Sequence, residues 1–238
     1  MKRGIPIMTL VLVGFALYLV GCGTQNQATG FKLDKEEGGP RSAAVPKESQ
    51  PVATSKAAGV ANAQEVTFKP FRVYTDANSP DNHYIPSGWM GDWGDITFDD
   101  RHLTNPHSGT TSIKIVYNGK AAQGARWAGI YWQNPANNWG TRPGGYDLTG
   151  AQRLVFWARG EKGGERIEEF KIGGIAGEYA DSDEAGIGPV VLTQEWKRYV
   201  IGLEGRDLSS ISGGFCWATN IDVNPEGATF YLDDLRYE

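Results

Sequence analysis

Between Val66 and Glu238 the chain sustains no long helical hydrophobic period; it offers short runs of β-branched and aromatic residues, each cut off by glycine, proline, asparagine or aspartate. Runs of that kind, separated by turn signals at close spacing, predict an antiparallel β-sandwich. The expected strands cover 71–75, 96–99, 112–117, 125–132, 153–159, 168–173, 197–203 and 229–237, with turns at 105–109, 142–145, 161–164 and 224–227. Side chains alternate across a strand. Ile113, Ile115 and Tyr117 therefore share one face opposite Lys114, while Leu154, Phe156 and Ala158 oppose Val155, Trp157 and Arg159. A length of about 170 residues is comfortable for a single core.

Ahead of this region the composition changes twice. Lys2 and Arg3 precede an apolar run over 5–20 that ends in Leu19-Val20-Gly21-Cys22, the charge-then-apolar pattern of an export signal. The tetrapeptide resembles the lipobox of bacterial lipoproteins, which implies removal of residues 1–21 and acylation of Cys22. That places the protein in the cell envelope, at an outer membrane or cell surface, with the lipid anchor as its only membrane contact. Residues 22–65 are polar, carry Pro40, Pro46 and Pro51, and have Phe31 as their one aromatic residue, too little apolar surface to offset the entropy of ordering. They read as a disordered tether spanning roughly 35 Å. Residues 66–238 are the folded domain. With Cys22 lipidated, Cys216 has no partner, and its setting in Phe215-Cys216-Trp217-Ala218 marks it as a small buried hydrophobe.

Several function classes drop out. The formal net charge is −5 and no basic stripe is present, so nucleic acid is not expected as a partner. There is no nucleophile elbow and no phosphate-cradling loop. The acids of 165–169 and 178–184 sit in charge-rich turns that read as solvated. No catalytic residue is assigned, and a glycoside hydrolase, which needs a positioned carboxylate pair, is the enzymatic alternative. His83, His102 and His107, the only histidines, have no metal-ligand spacing.

Sugar rings present apolar faces edged with hydroxyls, so a site for them needs flat aromatic platforms beside amide and charged groups. Trp132, Gln133, Asn134, Asn138 and Trp139 supply both within one segment that is too polar and proline-broken for a core strand throughout. The alternative is that Trp132 finishes a core strand and Trp139 caps the sandwich edge. Trp157 and Arg159 either floor a groove or pack under a loop. Trp89 and Trp93, with acids between and after them, form a second cluster that is either a wall of the same groove or a glycine-rich loop.

The stretches 129–135, 154–160, 193–199 and 230–235 resemble bacterial carbohydrate-binding modules with the galactose-binding-domain-like jelly roll, and the similarity covers 67–238. It implies an all-β jelly-roll sandwich, an oligo- or polysaccharide partner and a structural calcium between the first and last strands. Asp76, Asn105, Asp233 and Asp234 are the ligands that reading selects, although alternation allows only one of the last two; solvated acids beside a turn are the alternative. An envelope structural or protein-interaction sandwich, or a subunit passing glycans to a separate hydrolase or transporter, also fits the sequence.

Overall fold

The computed structural model describes residues 68–238; the leader, Cys22 and the tether lie outside the described residues. Among the described residues the chain forms two antiparallel sheets packed face to face. One holds β1 (Phe71–Tyr74), β3 (Ile96–His102), β4 (Ser112–Tyr117), β6 (Arg153–Gly160), β11 (Lys197–Gly202) and β13 (Ala228–Tyr237). Its order is β11-β6-β13-β4-β3, with β1 also paired to β13. The other holds β2 (Ile85–Gly91), β5 (Trp127–Gln133), β8 (Glu169–Gly173), β9 (Glu184–Ile187) and β12 (Gly213–Asn220), in the order β2-β5-β12-β8-β9. A short pair, β7 (Arg166–Ile167) and β10 (Val190–Val191), stands apart. The chain crosses repeatedly between the sheets, the path of a jelly-roll sandwich. Among the described residues no helix is long and apolar enough to cross a membrane.

Alternation explains the core. Ile113, Ile115 and Tyr117 of β4, and Leu154, Phe156 and Ala158 of β6, are buried on the inner face of the larger sheet. Ile130 and Trp132 of β5, Phe170 and Ile172 of β8, and Phe215 and Trp217 of β12 meet them from the other side. Trp132 packs against Phe215 at 5.4 Å and Phe98 at 5.8 Å between ring centroids, and Phe156 against Phe170 at 4.8 Å. Each such side chain contributes about 1.5–3 kcal/mol of burial free energy.

Each of the expected strands has a counterpart, with ends shifted by a residue or a few. β2, β7, β9, β10 and β12 were not anticipated. In β2 the residues Pro86, Gly88 and Gly91 read as loop, and β12 opens on Gly213-Gly214. Packing explains one of these glycines: a Cβ on Gly214 would lie 2.3 Å from the Tyr84 ring, and the Gly214 carbonyl accepts the Tyr237 hydroxyl at 2.6 Å. The acidic segment after β2 is structural. Asp92 is fully buried, and its carboxylate accepts the main-chain N–H groups of Gln123, Ala125 and Arg126, tying down the β4–β5 loop.

Candidate binding face

The strand register sets two rows of outward side chains across the five-stranded sheet. One runs Gly88, Tyr131, Cys216, Lys171, Gly186; the other runs Met90, Gly129, Ala218, Glu169. Small residues keep most of this face low. Gly129 cannot be larger, since a Cβ there would meet the Trp217 carbonyl at 2.4 Å. Tyr131 lies over it, 5 % exposed and clustered with Ile175, Cys216 and Met90, its hydroxyl donating to the Gly173 carbonyl at 2.9 Å. Beneath that cover, burial pushes the Cys216 thiol far up, so it is an inert packing group.

Trp139 rises from the loop after β5 and is 40 % exposed. Its ring stands edge-on to Tyr131, at 5.9 Å and 87°. Below it the loop is braced by amides: Gln133 Nε2 donates to the Asn138 carbonyl at 3.0 Å and Asn138 Nδ2 to the Arg142 carbonyl at 3.0 Å. Ser87 Oγ donates to Gln133 Oε1 and accepts the Asn137 N–H. The loop after β8 closes against it. Tyr179, 39 % exposed, donates its main-chain N–H to the Gly140 carbonyl. Asp181 anchors that loop by accepting N–H groups from Ile175, Ser212 and Gly213, while burial pushes its carboxyl above the ordinary range.

The third component is charged. Lys171 Nζ lies 5.7 Å from the Tyr131 ring centroid and pairs with Glu169 at 3.7 Å and Glu184 at 3.9 Å. These groups line a cleft of about 420 Å³ that continues past Gly186 to Arg206. An exposed indole, a tyrosine ring and a carboxylate–ammonium–carboxylate set thus meet on one shallow face. Such a face can stack an apolar ring and exchange hydrogen bonds with hydroxyls at its edge.

Of the residues singled out from the sequence, Trp139 alone belongs to this surface as a platform. Trp132 is 1 % exposed and points into the core, because alternation turns it away from the face that Tyr131 and Gln133 share; its reading as a contact is corrected. Gln133 and Asn138 are wholly buried and brace the loop instead of facing a ligand. Asn134 is half-buried, its Nδ2 bonded to the Tyr146 hydroxyl. Trp157 and Arg159 are outward on the opposite sheet, and that surface is covered by the chain itself. The His107 ring stacks on Trp157 at 3.8 Å. Arg159 is 8 % exposed, its guanidinium 3.7 Å from the Tyr231 centroid and 5.3 Å from that of Trp196. Tyr131, Lys171, Glu169, Glu184 and Tyr179 were not singled out. The alternation that buries Trp132 could have found Tyr131; the others come from strands and loops distant in sequence.

The four expected calcium ligands do not fit the ion. Asp76 Oδ1 accepts the N–H and hydroxyl groups of Thr110 and Thr111. Asp233 accepts N–H groups from His107, Ser108 and Asp234. Asp234 pairs with the His107 ring at 2.8 Å, and the Asn105 carbonyl accepts the Trp196 indole N–H. The positive ends of N–H groups stand where calcium needs oxygen. Among the described residues no three histidines, cysteines, aspartates or glutamates are grouped to hold a metal ion.

No family model matches the chain, and no curated protein matches it. Solved structures do. The family 30 carbohydrate-binding module of the cellulosomal cellulase Cel9D-Cel44B of Clostridium thermocellum is 14 % identical, with 71 % of this chain and 97 % of that chain covered and a TM-score of 0.48. The family 11 module of the cellulosomal cellulase Lic26A-Cel5E of the same organism is 11 % identical, with 72 % and 95 % covered and a TM-score of 0.47. At such identities and TM-scores the likeness says nothing of what this chain binds; the antiparallel β-sandwich rests on its own strand pairings.

Proposed function

We propose that this chain is a non-catalytic glycan-binding protein, held to the bacterial cell envelope by lipid on Cys22, and that the outer face of the five-stranded sheet is its site. The observation that carries the reading is Trp139, 40 % exposed and standing on Tyr131, beside the Glu169, Lys171 and Glu184 set. An exposed indole held by a buried amide network is costly to leave unused, and exposed apolar surface rimmed by polar groups marks recognition sites. Tyr131 links the two parts, its centroid 5.9 Å from that of Trp139 and 5.7 Å from Lys171 Nζ, so a glycan of more than one ring could lie on the indole and extend toward the charged set.

The test is affinity electrophoresis and calorimetry of the full chain in detergent against a panel of soluble polysaccharides. Trp139→Ala is expected to weaken binding by 2 kcal/mol or more, roughly thirtyfold, with an unchanged melting temperature. A folded protein that retains no polysaccharide, or a Trp139→Ala variant of undiminished affinity, overturns the proposal. The anchor is tested separately: labelled palmitate should enter the wild-type protein and not Cys22→Ser, and persistent labelling of the variant removes Cys22 as the lipid site.

A further inference from the structure

The charges on the binding face define which glycans it admits. This inference rests on the glycan reading above and assigns the selecting residues. Lys171 is largely covered, its side chain 15 % exposed, whereas the two carboxylates that flank it are open, Glu169 at 45 % and Glu184 at 64 %. Glu168 lines the same cleft but is paired with Arg166 at 2.8 Å. Arg206, the other cation there, is engaged with Asp183 at 3.2 Å. A ligand approaching Trp139 and Tyr131 therefore meets exposed acceptors of negative charge and an ammonium already neutralised between them.

We infer that Glu169 and Glu184, with Lys171 between them, select neutral glycans and reject uronate chains. A pair of neighbouring hydroxyls matches the set: each can donate to a carboxylate and accept from the ammonium, and no further charge is brought to a face that already carries an excess of negative charge. A uronate carboxylate can donate nothing and would face two open carboxylates, a like-charge juxtaposition that specific interfaces use to exclude wrong partners. Ala218 and Gly186, which pair across the strands with Glu169 and Lys171, are too short to hold such a group away from the acids.

The experiment compares retention of the full chain by hydroxyethylcellulose and galactomannan, which are neutral, with polygalacturonate, at low and high salt. The wild type is expected to bind at least one neutral polymer with little salt dependence and to ignore polygalacturonate at low salt, where repulsion is least screened. In Glu169→Gln/Glu184→Gln, neutral affinity should fall and polygalacturonate affinity rise, moving their ratio about tenfold or more toward the uronate as the repulsion is lifted. Wild-type binding to polygalacturonate equal to or tighter than to the neutral polymers overturns the inference while leaving glycan binding in place. So does a double variant that still binds a neutral polymer with an unmoved ratio. A folded wild type that binds none of the three overturns both readings.

Discussion

Trp132 and Trp139 belong to one short segment and have opposite fates. Trp132 sits in the core between Phe98 and Phe215, so Trp132→Ala should cost about 3–5 kcal/mol through lost burial and the cavity left behind, measured as a lowered denaturation midpoint. Trp139→Ala should leave that midpoint alone and alter only binding. Asp233 makes a second prediction. Burial raises its carboxyl from 3.8 to about 7, against the pull of main-chain N–H groups from His107, Ser108 and Asp234. A folded-state pKa above the unfolded one means the fold favours the protonated form. That contribution is complete below pH 4 and is lost as pH rises through 7. Melting temperature should thus fall between about pH 4 and 7 more steeply in the wild type than in Asp233→Asn; parallel curves for the two would show that Asp233 does not titrate in this window.

At the scale of elements, the unit that matters is the loop after β5 with the strands that brace it. Gln133 reaches forward to the Asn138 carbonyl and sideways to Ser87, whose hydroxyl holds the Asn137 N–H. Gln133→Ala leaves that carbonyl without its donor in a buried site, a loss of about 1–3 kcal/mol. It should also free Trp139, so binding weakens although no ligand contact is removed, and Trp139 fluorescence anisotropy falls. Unchanged anisotropy together with weaker binding would instead place Gln133 in contact with the ligand. The sequence marked this segment as unusual, because asparagines and a proline beside indoles do not suit a core strand. Which amides brace and which face outward was not legible, since that depends on Ser87 of a neighbouring strand and on the turn back to Tyr146.

On the scale of the whole molecule, the last strand and the 105–111 turn are joined by N–H donors to carboxylates where the resemblance implied calcium. The full chain is accordingly expected to melt at the same temperature with and without chelator. A bound ion would add about 2.7 kcal/mol at a hundredfold excess over its dissociation constant, so a drop of several degrees on chelation would reveal a site these residues do not explain. By itself the sequence determined the β class, the inward and outward sets on β4 and β6 and the buried setting of Cys216. Each of these follows from local composition or from a period of two along a single strand. Tertiary structure alone decided the rest. It set Tyr131 beside Cys216, Lys171 and Gly186 across four strands, and it laid His107 and Trp196 over Trp157 and Arg159. Alternation fixes which side chains share a face, but what stands beside them and what covers that face depend on pairings between residues far apart in the chain.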